Sequence, residues 1–289
     1  MDEICAQFGI TRQAHYQKVR REKQQQIAEE MVMEMVRQVR RKHPRMGTRK
    51  LLFKIQPMMD AEGLKIGRDG LFGLLRERDM LVQRKKAYRR TTIPGYWRTP
   101  NLLPGLAITE PNQVWVCDIT YLEVEVGHFV YLFLLMDLYS RFIVGWHVAT
   151  SLSSNGAVES LRMALKNFSN KKNQCIHHSD HGVQYTARSY MQVLQQAGIR
   201  PSMGAVGNCY DNIFAERVIG TLKNEYALDA RFVDYNQVRS AATQAIHYYN
   251  SDRPHLSLNM AIPQDVYCGV SQNVPPLVIP RSEILSTKN

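Results

Sequence analysis

Three acidic residues of this sequence occupy positions from which carboxylates can bind metal ions. Asp118 lies in a β-branched and aromatic run, Asp180 follows an apolar run that ends at Ile176, and Glu216 lies in a helical pattern. Two divalent ions about 3.5–4 Å apart can activate an attacking oxygen and stabilise a leaving oxygen in an in-line displacement. Mg²⁺ prefers carboxylate oxygens and keeps several waters, so three acids from separate elements suffice. The pattern predicts two Mg²⁺ (or Mn²⁺) ions and a site that cuts or joins phosphodiester bonds.

Each acid also has a purely structural interpretation. Asp118 can be a strand residue that accepts backbone hydrogen bonds, although a carboxylate among Val, Cys and Ile is costly to bury unless it is paired or binds metal. Asp180 can form an Asx-turn before the glycine that follows. Glu216 can belong to a solvated helix face or a surface ion pair. However, Glu216, Gly220 and Lys223 share one helix face, which leaves room for a phosphate backbone to approach.

Other acids and three histidines near these positions are weaker candidates. The rival acids are Glu123, Glu125, Asp137 and Asp211. Asp211 has the position of a helix cap, and Asp137 ends a predicted strand, where it is a structural residue or a support for the site. The histidines are His177, His178 and His181. Because no cysteine or spaced histidine partners them, zinc is not predicted. We expect hydrogen-bonded loop histidines, with a phosphate contact by His178 or His181 as the alternative.

The patterns around these residues predict an α/β fold. Strand patterns over 113–124, 129–139 and 141–150 are joined by short turns and predict an antiparallel meander. They are followed by a helix at 154–168, a strand at 174–178, a helix at 187–197, a strand at 199–202, and helices at 210–226 and 235–249. This is the order of a ribonuclease-H-like mixed sheet with flanking helices. Adjacent parallel pairing of the first and fourth strands would bring Asp118 and Asp180 together.

The net charge of +11 is confined to the first third of the chain. Residues 1–100 hold 23 of the 37 Lys and Arg residues against 11 of the 26 Asp and Glu residues, a net charge of +12. Residues 101–289 hold 14 Lys and Arg residues against 15 Asp and Glu residues, a net charge of −1. A basic third joined to a neutral remainder indicates a module that binds a polyanion, above all nucleic acid, because phosphate contacts supply most non-specific affinity. The alternative is a basic surface that only keeps the protein soluble.

Helical patterns fill this basic third. Thr11 caps a predicted helix over 12–42, and the Gly-Thr pair at 47–48 opens a second helix in which Pro57 predicts a kink or an early stop. With a third helix over 69–78, these patterns predict a small all-α helix-turn-helix region. A basic cluster behind it suits contacts to the backbone or a groove of DNA, and its alternative is a solvated helix face. The cluster consists of Arg76, Arg78, Arg84, Lys85, Lys86, Arg89 and Arg90.

Composition divides the chain into five predicted regions. Residues 91–110 carry three of the twelve prolines and two glycines without periodicity, which is typical of an extended linker. The regions are an N-terminal helical region at 1–44, a helix-turn-helix-like DNA-binding region at 45–90, the linker at 91–110, a catalytic core at 111–270 and an irregular tail at 271–289.

The cysteines and the hydropathy of the sequence predict the compartment in which the protein is found. The five cysteines are scattered and include no C-x-x-C pair, so neither a structural zinc site nor a disulfide framework is predicted. The N-terminus has no signal-peptide pattern, and the most apolar run, at 129–136, is too short to cross a bilayer. We therefore expect a cytoplasmic protein without a membrane partner.

Several motifs resemble those of one protein family. They are V-W-V-C-D-I-T-Y-L at 114–122, M-D-L-Y-S-R-F-I-V-G-W at 136–146, H-S-D-H-G-V-Q-Y at 178–185, G-N-C-Y-D-N-I-F-A-E-R-V-I-G-T-L-K-N-E at 207–225, and Y-Y-N with R-P-H within 248–255. Jointly they are very specific, and residues 47–82 resemble the helix-turn-helix segment that precedes this core in the group. The chain thus resembles insertion-sequence transposases of the OrfB type, whose catalytic core is that of retroviral integrases in the DDE superfamily.

The resemblance implies a D-D-E triad of Asp118, Asp180 and Glu216, and a contact between Lys223 and the transposon end. It implies metal-dependent 3′-end cleavage by water, followed by attack of the freed 3′-OH on another phosphodiester, typically through a circular intermediate. The implied partners are double-stranded DNA (terminal inverted repeats and target) and the product of an upstream DNA-binding reading frame, as a fusion or a partner. Pairing two ends requires at least a homodimer on DNA, where the protein is nucleoid-associated.

The sequence departs from the family pattern at two points, and two competing functions stay open. The zinc-binding His/Cys domain of retroviral integrases is absent from this sequence, and position 181 is histidine where relatives often carry a larger basic or polar residue. One competing function is a non-catalytic DNA-binding regulator, against which the presence of all three acids argues. The other is a ribonuclease-H-like nuclease without strand transfer, which has little need of a basic, helical front third.

Overall fold

Two separately packed units make up the chain, Met1–Gln83 and Arg84–Asn289. The computed structural model describes residues 11–82, 99–166, 168, 175–204, 213–271 and 274–280. The first unit contains helices α1 (Arg12–Lys42), α2 (Thr48–Ala61) and α3 (Arg68–Glu77). The strands of the second unit are β1 (Ala107–Ile108), β2 (Val114–Val124), β3 (His128–Asp137), β4 (Ile143–Ala149), β5 (Ile176–Ser179), β6 (Arg200–Met203) and β7 (Leu277–Val278). Its helices are α4 (Ser154–Leu165), α5 (Val183–Thr186), α6 (Arg188–Gln196), α7 (Ile213–Tyr226), α8 (Tyr235–Ser251) and α9 (Pro263–Tyr267).

The first unit is the predicted all-α region. The backbone N–H of Ala14 donates to Thr11 Oγ1 at 3.1 Å, so the predicted cap of α1 is confirmed. The early stop predicted at Pro57 is wrong, because α2 continues to Ala61. Ile55 and Met59 flank the proline and are fully buried, and their packing holds the helix in spite of the hydrogen bond that proline cannot donate.

The second unit is built on a five-stranded mixed sheet in the order β4-β3-β2-β5-β6. β2, β3 and β4 form the predicted antiparallel meander, and β2, β5 and β6 are parallel neighbours. The predicted ribonuclease-H-like α/β fold is thereby confirmed. Every helix in the described part of the chain is too short or too polar to cross a membrane.

Helices cover both faces of this sheet. Alternate side chains of β2 point to opposite faces, so Val116 packs in one apolar cluster with Val218 of α7, and Cys117 packs in another with Leu161 of α4. The first cluster also contains apolar residues of α8, and the second contains residues of α6. A strand covered on both faces needs the nearly continuous apolar sequence that β2 and β3 show.

A short ladder joins two segments that were predicted to be linker and irregular tail. Ala107 pairs with Val278 and Ile108 pairs with Leu277, in antiparallel register. The extended-linker and irregular-tail interpretations are therefore wrong at these four residues, and Ile108 is fully buried in the core. Two-residue strands are too short to show an alternating pattern, which is why the sequence did not reveal them. The boundaries of the five regions otherwise stay predictions.

Candidate active site

Adjacent parallel strands bring Asp118 and Asp180 close together. β2 pairs with β5 in the register Val116–His178, and each aspartate lies two residues further along its own segment. Because side chains alternate along a strand, Asp118 faces the same side as Val116, which is the side that α7 covers. Both aspartates are half-buried. Two carboxylates therefore lie side by side beneath the helix that carries the third acid.

The electrostatics of Asp118 show which charged groups surround it. Burial raises the pKa of Asp118 to about 8, and the negative charges of Asp180 and Glu216 add to this increase. Two groups lower this pKa. The Ile119 N–H donates a hydrogen bond to Asp118 Oδ1 at 2.8 Å, and Lys223 contributes a positive charge. The two aspartates, the glutamate and the lysine of α7 thus lie within electrostatic reach of one another.

Lys223 is the cation of this cluster. Burial lowers the pKa of its ammonium group, while the charges of Asp118 and Asp229 raise it. Lys223 and Glu216 lie on one face of α7, beside the apolar face that packs on the sheet through Ala215, Val218 and Leu222. A half-buried lysine beside three acids can offset part of their charge and can also bind a phosphate.

Asp180 also forms the turn that its sequence suggested. Its Oδ1 accepts the backbone N–H of Gly182 at 3.0 Å. A single hydrogen bond of this kind uses one of the carboxylate's several lone-pair positions. The Asx-turn interpretation and a metal-binding role are therefore compatible, because the turn orients the carboxylate without using all its acceptor sites.

Tyr185 is a site residue that the sequence analysis did not single out. Its ring is 2% exposed, and its pKa is raised by burial and further by the charges of Cys117, Asp118 and Asp180. It lies on α5, packs in the same apolar cluster as Cys117, and contacts Tyr190 with ring centroids 5.5 Å apart. The tyrosine that ends the motif at 178–185 was the available signal, but a lone aromatic residue is more often simply part of a core.

The three histidines form hydrogen bonds, as predicted. His177 Nε2 lies 2.7 Å from the Tyr190 hydroxyl, and burial lowers the pKa of His177 to about 3. His178 Nδ1 lies 2.9 Å from Ser202 Oγ, and His181 Nε2 contacts the Gly204 carbonyl. His177 and His178 belong to β5 rather than to a loop, so that part of the prediction is wrong. Their rings connect β5 to neighbouring elements of the core.

Asp137 has a structural environment at a distance from the other acids. It is fully buried and pairs across the sheet with Trp115, three residues or about 10 Å along β2 from Asp118. Its carboxylate accepts the N–H of Asn112 at 2.7 Å and both the N–H and hydroxyl of Ser140. Burial raises its pKa to about 6 in spite of these bonds. Asp137 therefore fixes the β3–β4 turn.

The chemistry of the acid cluster fits a hard divalent cation. Carboxylate oxygens and water are the ligands that Mg²⁺ prefers. Burial raises the pKa of Asp118 and the nearby negative charges of Asp180 and Glu216 raise it further, and a bound cation would offset both effects. Within the described residues, however, no three His, Cys, Asp or Glu side chains stand in a ready-made metal-binding arrangement. The acids interact electrostatically without forming a closed set of ligands.

The predicted DNA-contact residues fall into three groups. Lys223 belongs to the acid cluster. In the first unit, Arg76 is exposed in the last turn of α3, and Arg78 is exposed with its guanidinium 3.4 Å from the Glu30 carboxylate of α1. An exposed ion pair of this kind is weak and can exchange for a phosphate contact. Outside the described residues lie Arg84, Lys85, Lys86, Arg89 and Arg90.

Comparisons with known proteins point to one group of DNA-acting proteins. Two integrase core domain models match the chain, over residues 108–209 and 197–263. The chain is 34% identical over 266 residues to the insertion element IS600 uncharacterized 31 kDa protein of Shigella sonnei, covering 90% of this chain and 96% of that protein. It is 29% identical over 232 residues to a putative transposase for IS986/IS6110 of Mycobacterium tuberculosis (strain CDC 1551 / Oshkosh), covering 78% of each.

A shorter sequence similarity and two solved structures were also found. The putative transposase InsK for IS150 of Escherichia coli (strain K12) is 34% identical over 165 residues, 57% of this chain and 58% of that protein. Among solved structures, the HTLV-2 integrase catalytic core domain in complex with magnesium gives a TM-score of 0.42 at 16% identity, covering 58% of this chain and 99% of that chain. A simian T-cell lymphotropic virus intasome gives a TM-score of 0.46 at 18% identity, covering 84% of this chain and 77% of that chain.

Proposed function

The chain belongs to the insertion-sequence transposases of the DDE integrase superfamily, and we propose that Asp118, Asp180 and Glu216 are its catalytic and metal-binding residues. The protein is a DNA transposase, a polynucleotidyl transferase that acts in DNA recombination. The observation that carries the proposal for the site is the convergence of charge on Asp118, whose pKa is raised to about 8 by burial and by the two other acids.

The three acids hold two Mg²⁺ (or Mn²⁺) ions in this proposal. When bound, the ions activate the attacking oxygen and stabilise the leaving oxygen of the phosphodiester. Asp118 and Asp180 supply ligands from the rigid sheet, and Glu216 supplies one from the helix above them. The buried Tyr185 lies close enough to both aspartates for their charges to raise the pKa of its hydroxyl. The reaction is 3′-end cleavage by water, followed by strand transfer with the freed 3′-OH.

Lys223 contacts a phosphate of the transposon end in this scheme. It lies on the same face of α7 as Glu216, and its charge acts on Asp118. A cation held beside the acids can bind the DNA backbone next to the scissile phosphate. Because a phosphate contact carries no sequence information, Lys223 positions the end rather than identifying it.

The basic first third of the chain binds the DNA ends in this proposal. We assign end recognition to the helix-turn-helix-like region at 45–90 and its basic cluster, of which Arg76 and Arg78 are exposed. The partners are terminal inverted repeats, target DNA, further copies of the chain and the product of an upstream reading frame, as a fusion or a partner. With DNA as its substrate, the protein works in the cytoplasm and is nucleoid-associated while bound.

Strand joining of a labelled terminal-repeat duplex with Mg²⁺ or Mn²⁺ tests this proposal. We expect Asp118→Asn, Asp180→Asn and Glu216→Gln each to lower cleavage and joining by about two to three orders of magnitude, the usual effect of losing one transition-state-stabilising group. The matched control is Glu159→Gln, which removes an acid that pairs with Arg162 in an exposed position on α4. It should leave both steps unchanged.

The outcomes of this assay separate the three candidate functions. Wild-type protein that cleaves the duplex without joining it is a nuclease. Protein that binds the duplex and does neither is a regulator. If any of the three substituted proteins joins ends as well as wild type, that acid is not part of the site.

A further inference from the structure

A buried ion pair joins the C-terminal part of α7 to the segment that follows α8. Arg253 Nε and Nη2 donate to Glu225 Oε2 and Oε1 at 2.8 and 3.0 Å. The two side chains are only 7% and 18% exposed, and the guanidinium lies 5.3 Å from the ring centroid of Tyr249. Two parallel hydrogen bonds between planar groups fix the direction of the contact as well as its distance.

A second buried arginine contacts α7 near its other end. The Arg141 guanidinium lies 5.2 Å from the ring centroid of Phe214, and its Nη1 donates to the Leu138 carbonyl at 2.6 Å. Arg141 is 7% exposed. Glu216 lies between these two anchored positions of the helix. Ala215, Val218 and Leu222 also pack α7 against the sheet, and apolar contacts of this kind are non-directional.

The Arg253–Glu225 pair is poorly explained as a source of stability. Removing two charges from water is costly, and apolar residues of similar size often serve stability as well or better. In addition, Arg253 Nη1 is buried and has no hydrogen-bond partner among the described residues. What the pair provides, and apolar residues do not, is one fixed orientation of the helix.

We propose that Arg253, through its bidentate pair with Glu225, sets the rotation and axial position of α7 and thereby holds Glu216 opposite Asp118 and Asp180. Arg253 is a positioning residue, since it pairs with a side chain of α7 well along the helix from Glu216. Rotation of a helix by one residue turns a side chain by about 100°, and misplacement of a ligand by about 1 Å is enough to impair a site. The inference rests on the proposed role of Glu216 as a metal ligand.

Direct binding of Mn²⁺ to the full-length chain, followed by electron paramagnetic resonance without DNA, tests this inference. Arg253→Lys keeps the positive charge and removes the two parallel donors of the guanidinium. Glu225→Gln keeps the shape of the side chain and removes its negative charge. We expect each substitution to weaken Mn²⁺ binding about 10-fold. This is the lower end of the usual loss of affinity when a group that orients a metal ligand is removed. The control Arg162→Lys alters an arginine with an equally close carboxylate, Glu159 at 2.7 Å, in an exposed pair, and should change nothing.

A double substitution separates positioning from general loss of structure. If Arg253 acts through Glu216, Arg253→Lys combined with Glu216→Gln binds Mn²⁺ no more weakly than Glu216→Gln alone. Additive losses in the double variant would overturn the proposal, because they would show an effect on the whole fold. Urea unfolding of each variant identifies conditions under which all are folded, and Glu225→Gln provides the same test if Arg253→Lys does not fold.

The single variants distinguish this inference from the proposed function. If Glu216→Gln loses Mn²⁺ affinity while Arg253→Lys and Glu225→Gln bind like wild type, the positioning role is refuted and the metal site stands. If Glu216→Gln itself binds Mn²⁺ like wild type, the proposed metal site is wrong and the positioning role falls with it.

Discussion

Replacing Asp118 by asparagine should stabilise the metal-free protein at neutral pH. Folding raises the pKa of this carboxyl from 3.8 to about 8. Between these values the folded state binds a proton that the unfolded state has released, so the free energy of unfolding falls as the pH rises through this range. One pKa unit corresponds to about 1.4 kcal/mol, which gives a penalty of up to about 4 kcal/mol at pH 7.

The substitution isolates this charge because it preserves the shape and the local hydrogen bond. An asparagine Oδ1 can still accept the Ile119 N–H that Asp118 accepts at 2.8 Å. Urea unfolding in EDTA between pH 4 and pH 8 is the assay. We expect the variant and wild type to be nearly equal in stability at pH 4, and the variant to gain up to about 4 kcal/mol over wild type by pH 7.

Addition of Mg²⁺ provides an internal control for this experiment. A ligand at about 100 times its Kd stabilises the folded state by about 2.7 kcal/mol. Wild type should therefore recover stability with Mg²⁺ at pH 7, and Asp118→Asn should recover less. A variant that is less stable than wild type at pH 7, or a difference that does not change with pH, would refute the claim that Asp118 carries an unfavourable charge.

Three further predictions concern DNA binding and the core. Lys223→Gln should reduce the slope of log affinity against log salt for a terminal-repeat duplex by about 0.9, the value of one phosphate contact, and an unchanged slope would exclude that contact. Arg76→Gln with Arg78→Gln should reduce the slope by about 2 on DNA of any sequence, in the same titration. Asp137→Ala leaves the donors of Asn112 and Ser140 without their acceptor, so urea unfolding should show a loss of about 3 kcal/mol, and no loss would contradict its structural role.

Local chemistry and alternation were enough to predict much of the fold. A threonine before a helical pattern predicted the cap at Thr11, because capping depends on one side chain and the backbone nearby. The strand patterns and their order predicted the mixed sheet and the parallel pairing that brings Asp118 and Asp180 close together. Each of these features is encoded by residues that are close together in the sequence.

Features that depend on distant contacts were not predictable in this way. Arg253 pairs with Glu225 twenty-eight residues away, and neither residue belongs to a pattern that distinguishes a buried pair from two solvated charges. Pro57 remains helical because of packing by its neighbours, which local propensity does not include. The proximity of Tyr185 to the acids likewise follows from packing of its side chain in one cluster with Cys117 of β2 and beside His177 of β5. The acids themselves were identifiable from residue type, but the raised pKa of Asp118 depends on burial and neighbouring charges in the folded site.

The most direct test of the central claim replaces one proposed ligand with another kind of metal-binding group. In Asp180→Cys a thiolate takes the place of the carboxylate, and a thiolate binds hard Mg²⁺ poorly but accepts the softer Mn²⁺ better. We predict that this variant fails to join terminal-repeat DNA with Mg²⁺ and joins it measurably with Mn²⁺, whereas Asp180→Ala is inactive with both ions. Joining with Mg²⁺ at the wild-type rate by Asp180→Cys would contradict the assignment of Asp180 as a metal ligand in the active site.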